Sequence, residues 1–507
     1  MVVSVLVIDA GTSNLRVAEV SEEGKILNRL TAPSPLDKPV EGLAELDAQL
    51  LADTALEMAG DVLAEIHRAG RKAQAIGITN QRATTILWDK NSGQPVAPAL
   101  SWQDLRTLGD CLALQSDGFR LAPNESATKL AWLLRETRGQ AKDSLCFGTL
   151  DTWLIWKLTQ GACHVTDHSN AGVTGLMLTD ASGWDLATAD HLEIPAEVLP
   201  QIVASVGVVG EATALPGNLP IAALLGDQQS SLAGLGCLTA GTGKATFGTG
   251  ANVNICLGDR RVEFERRGEH GTFPIVCRTR NEAQVSSSPT SNTPTTEKAS
   301  DTIAVTWGVE ALDLSAGTNI AWLGDEWGLF SSPADSEPLA ASCQDAEGVV
   351  FVPALEGLGA PQWDFGARGT FLGLTRGTEA SHITRAVLEG VAYRGAELLK
   401  AAEADGNIHL SSLRIDGGMS RNKVFAQALA NATERPIEIS SDTEGTSLGA
   451  GYLAGYATGI WSSLEEVSHL WQPADILEPT APSNWDRWQE AVSQSLRWEE
   501  GLSEISF

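Results

Sequence analysis

The 507-residue sequence has no long apolar run, few cysteines for its length and too little positive charge to balance its acids. Before Asp9 there are too few apolar residues for a span, and MVVSVLVIDAG carries no basic stretch ahead of them. Neither a transmembrane segment nor a secretory leader is therefore expected. The seven cysteines (Cys111, Cys146, Cys163, Cys237, Cys256, Cys277, Cys343) are odd in number, widely spaced and form no CxxC pair. That pattern argues against a disulfide frame or a thiolate zinc site and fits reduced thiols in a cytoplasmic protein. Lys and Arg total 35 against 64 Asp and Glu, a net charge of -29. Such a field repels nucleic acid and anionic membranes, so no partner of either kind is expected.

Several catalytic signatures are missing too. The eight histidines contain no HExxH. His164 and His168, four apart in CHVTDHSN, read as structural groups on a loop or strand edge. No G-x-S-x-G elbow occurs, which removes an esterase. No GKS or GKT follows the first Gly turn, which removes a P-loop.

The remainder is ordinary globular material, 43% hydrophobic and 20% charged. The length exceeds what one core usually serves, so two large domains are expected. Strand and helix signals alternate. Residues 3–9 and 15–20 predict strands around a turn, 24–30 a third, 45–70 a long helix and 73–79 a buried strand. A second block repeats the plan, with a Gly/Thr turn at Gly248, Thr249 and Gly250, a helix over 381–406 and a strand over 412–418. This is α/β grammar with a duplicated half, the halves meeting near 234–238. Residues 281–301, rich in Ser, Thr and Pro, predict a disordered surface insertion.

In DAGTSNLR, Gly11 permits a tight turn, Thr12, Ser13 and Asn14 supply polar groups, and Asp9 at a strand end suits a hydrated Mg²⁺. An ordinary hairpin turn would use the same residues. FGTGAN (247–252) and DGGMSRN (416–422) offer two further Gly turns. Together they favour a nucleotide between two domains, its base near Gly417 and Gly418. GDQQSS puts Asp227 where a strand ends, a usual place for functional groups. There it could accept a proton from a substrate hydroxyl, or merely cap the following helix. Arg82 after a strand and Trp102 and Arg106 in SWQDLRT supply the aromatic and polar groups that hold sugars and polyols.

Taken together, DAGTSNLR, GITNQRATTILWDKNSGQP, FGTLDTWLIWKLTQG with HVTDHSNAG, GDQQSSLAG, FGTG, FVPALEGLGAPQWDFGARGTFLGLTRG, IDGGMSRN and EGTSLGAGYLAG resemble the FGGY carbohydrate kinases, most closely their glycerol-kinase branch. The resemblance implies two actin-like ATPase (ribonuclease H-like) domains around a deep cleft. They would span 1–235 and 236–480, with an extension over 481–507. It implies ATP, Mg²⁺, and transfer of the γ-phosphoryl group to a hydroxyl of glycerol or a related polyol or sugar. A homo-oligomer, dimer or tetramer, also follows from it.

By the same resemblance Asp227 is the catalytic base, and Asp9 and Asp227 face the metal. Thr12, Ser13, Asn14 and Arg16 form the first phosphate loop, and Thr249 sits at the second. Gly317, Gly417, Gly418, Met419 and Asn422 lie along the nucleotide. Arg82, Ala83, Trp102, Asn124, Asp227, Gln228 and Asn252 surround the acceptor.

Three of these positions depart from the branch. Glycerol kinases usually carry Glu where this chain has Ala83, Tyr at Asn124 and Phe at Asn252; Ala10 stands where they commonly have Gln. Losing a hydroxyl-binding carboxylate removes a bond worth about 1.5–3 kcal/mol. A wider, more hydrophilic pocket suited to a longer polyol or a ketose is the expectation. Two other classes compete: a non-catalytic nucleotide- or sugar-binding regulator, and an actin- or chaperone-like ATPase.

Overall fold

The computed structural model describes residues 2–137, 144–281 and 303–505. The segment 281–301 read as an insertion lies, apart from Asn281, outside the described residues.

The first half opens with three strands, β1 (Val3–Ala10), β2 (Asn14–Ser21) and β3 (Ile26–Pro33), each antiparallel to the next. Helix α1 (Ala48–Arg68) starts at Asp47, whose carboxylate accepts from the Leu50 amide at 2.9 Å. It returns the chain to β4 (Lys72–Asn80), parallel to β1. Strands β5 (Val206–Glu211) and β6 (Pro220–Gly226) follow, with β6 parallel to β4, and α2 (Asp227–Gly234) leaves directly from β6.

The second half repeats this order. Its strands β7 (Gly243–Phe247), β8 (Ala251–Gly258) and β10 (Ile303–Asp313) are again antiparallel neighbours, with β9 (Phe273–Asn281) paired on the far side of β10. Helices α3 (Gly317–Asp325) and α4 (Ala380–Gly406) lead to β11 (Leu413–Asp416), which is parallel to β7. Then come α5 (Lys423–Thr433), β12 (Ile437–Ser440), α6 (Gly445–Ala457) and β13 (Pro473–Leu477). The sheet order is β13-β12-β11-β7-β8-β10-β9-β5-β6-β4-β1-β2-β3. Order β3-β2-β1-β4-β6 in one half matches β10-β8-β7-β11-β12 in the other, direction for direction. That is the duplication expected from the alternation of signals.

Strand periodicity decides what each face holds. In the second half Ala245, Phe247, Val253, Ile255, Val309, Ala311, Leu413 and Ile415 point into one core beneath α4 and α5. The intervening residues Lys244, Thr246, Asn252, Asn254, Glu310 and Asp416 face the first half. In the first half Leu6, Ile8 and Ala10 pack under α1. Val5 and Val7 meet Leu448, Ala450 and Leu453 of α6, a helix supplied by the other half. Helix α2 reciprocates, setting Leu232 against Cys256 and Cys277 of the second half. The two helices cross on glycines: a Cβ on Gly449 would lie 1.8 Å from the Ser230 carbonyl oxygen.

The expected strand edge around His164 and His168 is a strand, Val165–Asp167, followed by a helical turn, His168–Ala171. Both histidines bond backbone carbonyls, His164 Nε2 to Phe147 at 2.7 Å and His168 Nδ1 to Val203 at 2.9 Å. No group of acids, histidines and cysteines arranged as a protein-only metal cage occurs among the described residues. Nor is any helix there long and apolar enough to cross a membrane.

Candidate active site

The β1–β2 turn is closed by the Gly11 amide donating to the Asn14 carbonyl at 2.9 Å. Ser13 is exposed at its tip, and its carbonyl accepts from the Ser34 amide. Asp9 ends β1 beneath this turn and is 2% exposed. Ser447 Oγ, from the start of α6, donates to Asp9 Oδ2 at 2.8 Å, and Arg16 Nη1 stands 3.8 Å away. Burial pushes the Asp9 carboxyl up to about 6, against the lowering effects of Arg16 and Ser447, while Asp227 adds to the rise. Arg16 is also paired with Glu444 at 3.2 Å, so it ties the turn to the second half.

Asp227 is the first residue of α2, where β6 ends. Its side chain keeps 30% of its surface, so a small acceptor can reach it. Burial raises its pKa, opposed by Arg82, the Gln228 amide and Lys244. Arg82 Nε lies 3.6 Å from Asp227 Oδ1, while Nη2 donates to both Glu310 oxygens at 3.0 Å. One guanidinium thus links the first-half carboxylate to a carboxylate of the second half. Gln228 Oε1 accepts from Lys244 Nζ at 2.6 Å, and Lys244 also donates to Thr246. Thr246 and Ser231 hydroxyls both donate to Asp416. Burial lowers the Lys244 pKa, with Asp416, Glu310 and Asp227 restoring part of it.

The second glycine turn sits over the N-terminus of α3. Ala316 and Gly317 amides donate to the carbonyls of Thr249 and Gly248 at 2.8 and 2.9 Å. Only glycine fits at 317, since a Cβ would lie 2.5 Å from the Gly248 oxygen, with Met419 Cγ 3.7 Å away. Gly417, at φ +89°, is pressed equally hard, its added Cβ falling 2.4 Å from the Phe247 oxygen. Gly418 faces open space. Thr249, Gly317, Gly417, Gly418 and Met419 are therefore gathered at one place. Asn422 joins them through its amide, which donates to the Met419 carbonyl at 2.9 Å, and caps α5, its Oδ1 accepting from the Phe425 amide at 3.0 Å and its Nδ2 donating to Ser336.

Around the acceptor positions the picture is mixed. Trp102 Nε1 donates to Thr12 Oγ1 at 3.1 Å, which joins the expected polyol wall to the expected phosphate turn. Ala83 is buried in a left-handed conformation, φ 60°, and its carbonyl takes the Ser126 and Thr85 hydroxyls. Asn124, two residues before Ser126, is exposed. Asn252 occupies the β8 position opposite Leu312, on the face toward the first half. Arg106 stands apart, held by Asp104 and Glu45 and stacked over Trp132.

Sequence reasoning missed Glu310, Lys244, Asp416 and Ser447. A signal existed for three of them: a charged residue within a strand whose alternate positions are apolar marks a face directed at something polar.

Comparison with known proteins identifies the family. The model of the "FGGY family of carbohydrate kinases, N-terminal domain" covers residues 4–234, and the C-terminal model of the same family covers 270–458. The chain is 38% identical to the glycerol kinase of Bordetella parapertussis and 36% identical to that of Azotobacter vinelandii. The matches cover 97% and 98% of both partners respectively. The crystal structure of Plasmodium falciparum glycerol kinase with ADP superposes with a TM-score of 0.86 at 28% identity, covering 100% of this chain and 99% of that one. A gluconate kinase from Lactobacillus acidophilus, at 21% identity and TM-score 0.79, shares the fold.

The duplicated sheet and the carboxylates between its halves define a two-domain α/β phosphotransferase with the actin-like ATPase fold. The chain belongs to the FGGY family of carbohydrate kinases. It uses ATP and an alcohol group as acceptor, and nothing in the comparisons supports the non-catalytic regulator.

Proposed function

We propose that this kinase phosphorylates glycerol or a related polyol or sugar in the space beside Asp227, with domains meeting at 235/236 and residues 481–507 as an extension. The observation that carries the reading is the Asp227 carboxylate, reachable from solvent and joined through Arg82 to the opposite half. Asp227 takes the proton of the acceptor hydroxyl as that oxygen bonds to the γ-phosphorus of ATP and the bond to the bridging oxygen breaks, releasing ADP. The turn of Thr12, Ser13 and Asn14, with Arg16, and the turn of Thr249 face the phosphates. Gly317, Gly417, Gly418 and Met419 leave room for the nucleoside, and Asn422 acts by capping α5 beneath it. Arg82, Trp102 and Gln228 orient the acceptor, with Ala83 shaping the wall through its backbone and Asn124 and Asn252 bordering it. Catalysis in this arrangement is positioning plus electrostatic stabilisation.

The donor set suits Mg²⁺. Asp9 is a buried carboxylate whose neighbour of like charge, Asp227, raises its pKa, and a cation relieves both effects. Mg²⁺ is commonly held by one or two carboxylates, waters and substrate phosphates. When bound it would neutralise charge on the phosphates; Asp9 and Asp227 would face it.

The sign of the pH dependence follows. Asp9 is shifted upward from 3.8 to about 6. Its favourable contribution to folding is thus complete below 3.8 and is lost as pH rises through about 6. Cation binding runs the other way, because the metal competes with the proton. The KM for Mg-ATP should therefore rise about tenfold between pH 7 and pH 5. Steady-state kinetics checks this, and a flat KM removes Asp9 from the metal site.

ADP formation dependent on added polyol and on Mg²⁺ tests the function as a whole. The cytoplasm is the compartment we infer, in keeping with seven free thiols. We infer a dimer or tetramer, to be measured by light scattering.

A further inference from the structure

The stretch HVTDHSNAG holds no part of the site described so far, yet it is bonded to the two strand ends that carry Asp227 and Arg82. Asp167 is fully buried. Its Oδ1 accepts from the Ser169 hydroxyl at 3.0 Å and from Asn170 Nδ2 at 2.9 Å, and its Oδ2 accepts from the Ser169 amide at 2.9 Å. Ser169 Oγ in turn accepts, at 2.9 Å, from the amide of Gly226, the residue immediately before Asp227. Asn170 exchanges two bonds with Asn80, the last residue of β4, at 2.9 and 3.2 Å, and Asn80 is the strand partner of Gly226. Gly226 also carries the stem of Arg82, since a Cβ there would fall 2.7 Å from Arg82 Cγ and Cδ.

Capping explains only part of this. Asp167 precedes the helical turn His168–Ala171 and takes the Ser169 and Asn170 amides, as a cap does. A cap has no need of the Ser169 hydroxyl, whose oxygen reaches a residue 57 positions away. Because that hydroxyl donates to a carboxylate, its oxygen is polarised into a stronger acceptor. We propose that Ser169, held by Asp167, is a positioning residue for phosphotransfer: its oxygen fixes the Leu225–Gly226 peptide, and with it the direction in which Asp227 leaves β6 and the place where Arg82 lies beside it. The proposal rests on the reading of Asp227 as the base. Buried amides are nearly always paired. Without the Ser169 oxygen the Gly226 amide must turn toward another acceptor, and it belongs to the residue next to the base.

The test compares Ser169→Ala, Ser169→Cys, Ser169→Thr and Thr166→Val with the wild type and Asp227→Asn, using ATP and whichever of glycerol, erythritol, ribitol, xylulose and ribulose the wild type turns over fastest. Rates are taken per molecule able to bind ADP, counted by calorimetric titration, so that unfolded protein does not register as lost turnover. Ser169→Ala should lower kcat on the order of tenfold to hundredfold, the effect of displacing a catalytic group by about 1 Å. Its KM for Mg-ATP should stay within about twofold, because the glycine turns are untouched. Ser169→Cys, whose sulfur accepts only weakly, should fall likewise and decides the matter if the alanine variant does not fold. Ser169→Thr keeps the oxygen and should return kcat to within about threefold of wild type. Thr166, beside Asp167 on the same strand, donates its hydroxyl to Asp151 at 2.8 Å. Thr166→Val should therefore leave kcat within about threefold even where the urea midpoint drops. An unchanged kcat in Ser169→Ala or Ser169→Cys, a loss that threonine does not restore, or an equal loss in Thr166→Val overturns the proposal while an inactive Asp227→Asn keeps the base in place. Wild-type turnover in Asp227→Asn overturns the base reading, and this proposal with it.

Discussion

Asp227→Asn should lower kcat by about 10²- to 10⁴-fold, the usual worth of a positioned general base. ADP without added Mg²⁺ should still bind within about twofold of wild type, because the amide keeps the size of the carboxylate and the nucleotide is held by the two glycine turns. The replacement is mild for the fold. Arg82 keeps its bonds to Glu310, and Asn at the head of α2 can still accept from the Gln228 amide, which Asp227 Oδ1 does at 2.8 Å. A purely structural Asp227 therefore predicts a variant with wild-type turnover, since Asp227 is the first residue of α2, Gly226 is the cap, and Asn keeps both the size and the bond to the Gln228 amide. A coupled assay for ADP with a polyol acceptor, alongside calorimetric titration with ADP, separates the two. Turnover within about threefold of wild type would end the base assignment.

How much of this site could be read from the chain depends on how local its determinants are. The β1 to β4 order was legible because strand and helix periodicities differ and glycines punctuate them. Helix α1, expected over 45–70, runs Ala48–Arg68, and α4, expected over 381–406, runs Ala380–Gly406. The position of Asp227 was legible for the same reason: an apolar strand running into a polar helix start places its carboxylate at the sheet end. Glu310 was legible only as a charge on a polar strand face; its partner Arg82 was not, being 228 positions away in the chain. Ser447 is further still from Asp9, at 438 positions. What the residues near 83 and 252 suggested, loss of a carboxylate and of an aromatic wall, is true of those positions alone. On the strand beside Asn252 stands the buried Glu310, whose carboxylate is taken up by Arg82 and Asn254. Asn422, expected along the nucleotide, follows the Gly417–Met419 turn directly, its amide bonded to the Met419 carbonyl, and also caps α5.

The crossing of α2 and α6 yields the largest expected effect on stability, and it links packing to catalysis. A Cβ added to Gly449 would sit 1.8 Å from the Ser230 carbonyl oxygen and 2.8 Å from the Gly234 nitrogen. Both are backbone atoms of α2 and cannot swing aside. The helices are further pinned by Ser230 Oγ donating to the Thr446 carbonyl at 2.6 Å, and Gly234 presses equally hard on Gly445. Gly449→Ala must therefore push two helices apart, each of which lies on the other half's sheet. Overpacking of this kind typically costs about 1–3 kcal/mol, and contact with rigid backbone puts it at the upper end. Asp227 begins α2 one turn before Ser230, so the displacement also moves the carboxylate. A shift of about 1 Å in a catalytic group is enough to lose about 10²-fold in rate. Gly60→Ala supplies the control, because a Cβ there meets nothing within 4 Å in the middle of α1. That change should be neutral or stabilise by up to about 1 kcal/mol. Urea midpoints and kcat for the two variants decide the matter. If Gly449→Ala keeps the wild-type midpoint, the helices yield at no cost and the crossing does not set the position of Asp227. If instead the midpoint falls while kcat per folded molecule holds, the crossing supports the fold but leaves the carboxylate to Arg82 and β6.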